Sequence, residues 1–552
     1  KVEAGDTVKI DANTYSETVA IPVDNLAMLG VDSGPTGTKL DYGDSSASTG
    51  AIGVYSDTQT GLYLTDLQLR NYYKAVYFEN IDQSTVKNLR MVYSGDNAIE
   101  TIRSNRNSFS GNHFVRNDSA GILLAHSSKY NEVFDNTADS GGSFGLNSSN
   151  SSGNRFENNQ LDSNDGGIRI TGASRGNTVA NNIVRSSEFS PGISITGNAA
   201  LNKIANNEIR DGNDEGIKIT TDTNTIKNNL TRNNGLDGIQ LNGDNNTLVS
   251  NHSYLNIDGF EIDANRNTLK DNRSDTNTDN GFEIAGNRNV LRSDSASNNS
   301  AGFELASAQS NKIIQVYSDN NTGKGFRLAG AVNNRFISNE VTGNDESGIY
   351  MTADSSGNPA EGNYFAQNDI IGNGNYEVHL VDNKGDTFNK NLMSFYGDTT
   401  VRNDNGSGRT FDFTRNDWNT TNENSIAGDI TGTYDENVDF KPFRLTEVKL
   451  SPGADTIAPN DPTIKQAKAV PGGIKVTWYD VDYDENFDPL NDFGKYNVYG
   501  LDDSQLPTSD WKQTAESNGF DTTVESRTDT SVIHYDNVHR SYSYRVTAED
   551  NS

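Results

Sequence analysis

A short motif, Gly-(Ile/Phe)-x-(Leu/Ile/Met), recurs along the chain, and its third position holds most of the side chains able to do chemistry. In order these are Leu123, Arg169, Ser194, Lys218, Gln240, Glu261, Glu283, Glu304, Arg327 and Tyr350. In an extended strand the two apolar residues share one face and x points to the other. Glu261, Glu283 and Glu304 fall in three successive repeats. Stacked roughly 5 Å apart, they repel by a few tenths to ~1 kcal/mol each. A cation, a proton or the following Arg327 relieves that. Stacked carboxylates supply the hard oxygen ligands Ca²⁺ takes. They also match catalytic pairs: neighbouring repeats give the ~5–5.5 Å separation of retaining glycosidases, alternate ones the ~6.5–9.5 Å of inverting enzymes. A solvated acidic row is the plain alternative. Arg169, Lys218, Gln240, Arg327 and Tyr350 are the candidate ligand-binding groups. The glycine beside each x has no side chain, so the face is expected to be flat there and to suit a linear polysaccharide.

The elements that position this row follow from a longer repeat. N-x-(I/V/L/F)-x-x-N returns about every 22–23 residues, its first asparagines running from Asn107, Asn131 and Asn154 through Asn334 to Asn363. A second asparagine follows five residues later, except where Asp294 and Val316 replace it. Two short strands with alternating apolar residues, separated by polar turns, fit a strand-based coil. The period is too short for helix-pair repeats. A parallel β-helix of about a dozen clear rungs and some four more upstream is expected, a rod of roughly 70–80 Å. Isoleucines such as Ile168, Ile193, Ile217 and Ile239 then stack inside, and asparagine amides bond rung to rung. Asp165, Asp237, Asp258 and Asn280, near the rung glycines, read as turn residues. His113, His126, His252 and His379 fall at unrelated rung positions and read as surface residues.

Composition narrows the function. The chain has 552 residues, a net charge of −31, 32% hydrophobic residues and no cysteine. That charge argues against bare polyanions as partners, so nucleic acid, an anionic membrane or an acidic glycan would need bridging cations. Thiol catalysis, disulfides and Cys-ligated metals are excluded. No apolar run reaches 18 residues, so no membrane span is expected. No organic cofactor is implied.

On the rung motif the chain resembles right-handed parallel β-helix proteins built of carbohydrate-binding and sugar-hydrolase type (NosD-like) repeats, over roughly residues 1–445. The expected fold is all-β, a pectate-lyase-like solenoid followed by a β-sandwich. Residues 1–105 read as irregular N-terminal coils, 106–400 as regular rungs, and 401–445 as the closing segment. That last assignment rests on Trp418–Ile426 and Val438–Phe443, which resemble segments that close such helices. The resemblance implies lyases, hydrolases, epimerases and non-catalytic surface proteins alike. In its lyases a Lys or Arg removes the C5 proton of a uronic acid while Ca²⁺ neutralises the carboxylate, which would give Lys218, Arg169 and Arg327 roles beside Glu261, Glu283 and Glu304. The fixed motifs of polygalacturonases and mannuronan epimerases are missing.

Prolines mark a linker over 446–462. Beyond it, 463–552 resembles a fibronectin type III domain, with Trp478 as its core tryptophan and Tyr544 on a late strand, and with the last strand missing. Either the native protein continues past Ser552 or a partner supplies that strand. Asp480, Asp482, Asp484 and Asp488 resemble the start of a calcium loop, without its glycine at the sixth position and with Asn491 at the twelfth. The first expectation is a secreted or cell-surface rod, non-catalytic, that binds glycans or neighbouring copies of itself. The alternative is an extracellular polysaccharide lyase, epimerase or hydrolase working along the outward row.

Overall fold

The computed structural model describes residues 1–443 apart from 44–49, 395–398, 406–408 and 421. In the C-terminal part it describes 464–470, 473–478, 493–502, 520–524, 531–534 and 542–550. The chain divides into Lys1–Val448 and Lys449–Ser552.

The first unit is a parallel β-solenoid of about 18 turns. Each regular turn contributes three short strands, not two. In one coil these are Thr225–Lys227, Leu230–Arg232 and Ile239–Leu241. The asparagine motif itself spans the first two strands, and the glycine motif is the third. Each strand pairs in parallel with its counterpart in the next coil, so Thr225 lies against Thr247, Leu230 against His252 and Ile239 against Phe260. Three sheets result, the first with 19 strands among the described residues. Residues 1–105 already follow the same scheme: Ile52–Asp57 pairs with Lys74–Glu79, and that strand with Ile99–Ile102.

The corners explain the asparagines. Before each ladder asparagine the backbone turns through the left-handed region, at Thr223 (φ 61°), Asn228 (φ 54°) and Asn233 (φ 52°). This sharp bend leaves backbone groups that the strand ladder cannot satisfy. The buried side chain of the next coil does so: Asn251 Oδ1 accepts the Asn229 backbone N–H at 3.0 Å and its Nδ2–H at 3.0 Å. The Asn229 amide also donates back to the Ile204 carbonyl at 3.0 Å. There are three such ladders. The third, through Asn234, Asn256, Asn277, Asn299, Asn321 and Asn344 to Asn373, was not anticipated. Asp294 and Val316 break the second ladder together. Asp294 Oδ1 still accepts the Asn272 N–H (2.7 Å) and Nδ2–H (2.8 Å), and its Oδ2 accepts the Arg292 N–H (3.0 Å). Asp294 has no amide N–H to pass to the next coil, and Val316 has no oxygen to receive one.

Inside, Ile168, Ile193, Ile217 and Ile239 form one buried column, as expected. It continues as Phe260, Phe282, Phe303 and Phe326, rings stacked at 4.6, 4.8 and 5.1 Å. The same four coils carry only Ser253, Ser274, Ala296 and Ser318 at the inward position of the second sheet. Large and small alternate between facing sheets so that the core cross-section stays filled. The motif glycine belongs to this packing. A Cβ on Gly238 would collide with Ser253 Oγ, and one on Gly259 with Ser274 Oγ. The glycine therefore sits at a tight inner corner and does not flatten the outer face, contrary to expectation. At the C-terminal end Trp418 packs between Phe413 and Phe440. The helix Glu423–Gly428, capped by Asn422, buries Ile426 in the core.

In the second unit Gly473–Trp478 pairs antiparallel with Ile464–Val470 and Ser531–His534. Phe493–Asp502 pairs with Phe520–Val524 and Tyr542–Asp550, the strand that carries Tyr544. Trp478 is buried edge-on to Tyr496, with centroids 5.4 Å apart. Asp480, Asp482, Asp484 and Asp488 lie outside the described residues.

Two outcomes test this core. Phe282→Ala should cost ~3–5 kcal/mol, since the ring is fully enclosed between two others; a loss below about 1 kcal/mol in denaturant unfolding would refute the stacking. Burial pushes the Asp294 carboxyl up to about 8, against about 3.9 in an unfolded chain. Its protonated form favours the fold, so that contribution is full below about pH 4 and is lost as pH rises through 8. Asp294→Asn should remove that part of the fall in melting temperature. An unchanged pH profile would count against it.

Candidate functional site

The outward row lies on the third sheet and is in strict register. Asn147, Arg169, Ser194, Lys218, Gln240, Glu261, Glu283, Glu304, Arg327 and Tyr350 pair one to the next without a slip. Leu123 precedes Asn147 in the same line. The row also extends further than the motif indicated. Tyr55, Tyr77 and Glu100 begin it, and His379 and Arg402 continue it past Tyr350. His379 is therefore on the face, in line with Tyr350 and Arg402, and not at an unrelated rung position as expected. The glycine signal fails there because Glu377 stands in its place.

The charges in the row have internal partners. Lys218 Nζ sits 2.6 Å from Oε1 of the buried Glu215. Arg327 pairs with Glu304, and Gln240 donates to Glu261. Glu283 accepts from Asn280 Nδ2 at 3.3 Å. Arg169 stacks over Phe144 at 4.8 Å, and burial lowers its pKa. Near the C-terminal end, His379 Nε2 lies 3.1 Å from Asp404 Oδ2, and Arg402 holds both Asp404 (2.5 Å) and the Tyr376 hydroxyl (2.9 Å). Tyr350 stands edge-on to His379 with Lys324 Nζ over its ring. Lys218 and Arg327 are five coils apart, roughly 24 Å at the spacing of paired strands, so they cannot serve one sugar residue. Among the described residues no three carboxylate or imidazole groups converge as they would around a metal ion.

A second column lies just before the strands, and Asp237 and Asp258, expected as turn residues, belong to it together with Glu215. It is a line of buried carboxyls: Glu215, Asp237 and Asp258. The main chain threads them together, since the Asp258 N–H donates to Asp237 Oδ1 (3.2 Å) and the Asn280 N–H to Asp258 Oδ1 (2.6 Å). Burial, then a hydrogen bond to Glu261, push the Asp237 carboxyl up to about 8. Burial and the nearby Glu283 push Asp258 up to about 7. Glu283 and Asp263 are raised as well, by burial and then by Glu261. The centre of the face thus concentrates carboxyl groups that resist ionising together. No signal separated these aspartates from ordinary turn residues; only the third dimension buries them.

Fold and face together define a right-handed parallel β-helix protein with one long ordered outer surface. A family model described as "Right handed beta helix region" matches residues 51–209 and 191–293. One described as "Periplasmic copper-binding protein (NosD)" matches 259–371. Among solved structures the chain is similar to the A-module of mannuronan C-5 epimerase AlgE6 of Azotobacter vinelandii. Identity is 16% over 73% of this chain and 93% of that one, with a TM-score of 0.36. It is also similar to the DFA-IIIase of Arthrobacter chlorophenolicus A6 (13%, 60% and 84%, TM-score 0.36) and to the periplasmic alginate epimerase AlgG (13%, 63% and 81%, TM-score 0.30). No curated protein sequence matches.

Side-chain carboxyl resonances followed by NMR should titrate near 8 for Asp237 and near 7 for Asp258, far above the ~3.9 of a free aspartate. Midpoints below about 5 for both would mean that the column is open to water.

Proposed function

We propose that the β-helix is a non-catalytic rod, acting outside the cytoplasm, that binds a linear polysaccharide along the outer face of its third sheet. One observation carries this: an unbroken in-register row of polar side chains in which Lys218 and Arg327 are each tied to a carboxylate. To take a proton, Lys218 would first have to leave buried Glu215 at 2.6 Å. To meet a uronate, Arg327 would have to leave Glu304. Groups held this way present a fixed pattern of donors and acceptors, which is what recognition of a repeating ligand needs. Arg169 and Tyr350 give two further handles on the same line, each with a planar face. Calcium at Glu261, Glu283 and Glu304 enters this reading only as a competitor for the same carboxylates.

Copper binding fits poorly. Residues 259–371 contain no histidine, no cysteine and a single methionine, the buried Met351. The thiolate and imidazole donors that copper prefers are missing from the stretch that resembles the NosD family, and its one thioether is enclosed in the core.

A second reading has its own support. Asp237, pushed up to about 8 beside the Glu261 carboxylate, is a carboxylic acid that stays protonated at neutral pH, as a general acid for glycoside hydrolysis must. The two are separated by one experiment. Incubated with a panel of linear polysaccharides, the full chain should retain one of them on a column and release no products. Tyr350→Ala and Arg169→Ala should each weaken retention by about three- to tenfold, the usual range for one lost side-chain contact. Release of reducing ends or unsaturated sugars, abolished in Asp237→Asn, would replace the binding reading with the enzymatic one.

A further inference from the structure

The acidic middle of the face points to the kind of polysaccharide. From Glu215 to Glu304 the two columns bring carboxyls together faster than the protein supplies cations, with Lys218 and Arg327 only at the ends. A polyuronate laid there would add a second row of negative charge. A neutral glucan would leave the first row uncompensated.

An independent observation concerns Glu215. The residue is 4% exposed; Lys218 holds its Oε1, and no N–H group or cation meets its enclosed Oε2. Beside it the Asp214 carboxyl, pushed up to about 6 by burial and by its hydrogen bond to Glu215, shares a proton with it. Two buried carboxyls that share one proton cannot both ionise, and positive charge brought to the face beside them lets them do so. A bare metal ion is the poorer candidate, because the carboxyls run along the rod instead of converging. A string of ammonium groups suits a string of acids, and an extended hexopyranose chain advances about one coil per sugar.

The rim agrees. Leu236 and Ile257, on the turns that carry Asp237 and Asp258, are both solvent-exposed and are joined by an Ile257 N–H to Leu236 carbonyl bond of 3.0 Å. They offer an aliphatic strip beside the acids, where the C–H face of a pyranose ring can rest.

We infer that the ligand of this face is a cationic polysaccharide, a linear polymer of amino sugars with free ammonium groups, lying along the coils from Glu215 to Glu304. This rests on the glycan-binding reading above. Binding then draws protons off the carboxyls whose ionisation burial and neighbouring acids suppress. Affinity falls with salt, because Glu261, Glu283 and Glu304 on the face are partly exposed.

Calorimetry on the full chain tests it. The probes are a glucosamine hexamer, its fully N-acetylated form, a cello-hexamer and a uronate hexamer. The glucosamine hexamer should bind at least about tenfold more tightly than the other three, a difference of ~1.4 kcal/mol. Protons should be released, read from the buffer dependence of the heat. Glu261→Gln/Glu283→Gln should lose most of that preference while its melting temperature and circular dichroism stay near the parent's. Equal or tighter binding of the acetylated, neutral or uronate hexamer would overturn the amino-sugar assignment and leave the glycan reading standing. If none of the four binds, both readings fall.

Discussion

The constraint on which this molecule depends is that a buried amide at a bend can be satisfied only by an identical bend one coil away. At each corner the chain turns through a left-handed residue and leaves backbone groups that no strand partner reaches. The asparagine of the next coil fits because its Oδ1 accepts two N–H groups while its Nδ2 donates in two directions, as Asn229 and Asn251 show. Such a contact works only if both coils share length and shape, so it enforces the repeat. It also fixes register, since a slip of one residue would put aliphatic side chains outside and leave several amides unpaired. The ladder tolerates departure only in compensated form, and Asp294 with Val316 is that form: the donor and the acceptor disappear together.

Register at the corners propagates to both faces of each strand. Inward, it stacks like on like, and the phenylalanine column from Phe260 to Phe326 is possible because the second sheet gives up volume at Ser253, Ser274, Ala296 and Ser318. The motif glycine follows from the same crowding, as the third sheet comes too close to those small residues to admit a Cβ. Outward, register aligns residues that the core does not choose. The row from Tyr55 to Arg402 is therefore free to carry a pattern, and its pattern is uneven: basic and aromatic toward the C-terminal end, acidic in the middle.

What could be read from the sequence tracks how local each cause is. Two asparagine ladders, the isoleucine column and the row from Arg169 to Tyr350 come from spacing alone, because a one-dimensional repeat maps directly onto a one-dimensional stack. The third ladder was hidden by glycine and serine at several of its rungs. The strand count was low because the asparagine motif folds two strands around one sharp bend. His379 was missed where Glu377 replaces the usual glycine. The burial of Glu215, Asp237 and Asp258 could not be read at all, since their sequence surroundings are those of any polar turn and their enclosure comes from the coils above and below.

That last group carries the functional argument. Side chains within the row pair with each other, and such pairs on a moderately exposed surface contribute little to stability; their effect is to hold the pattern still. The buried carboxyls beside them are different in kind. Keeping several acids close together works against the fold, and although Asp237 and Asp258 each accept a backbone N–H of the next coil, the equivalent positions further on are held by the neutral Asn280, Ala301 and Ser347. A neutral amide would serve those backbone bonds as well, so a run of acids over adjacent coils, facing the ordered surface, is where a ligand of opposite charge accounts for what packing cannot.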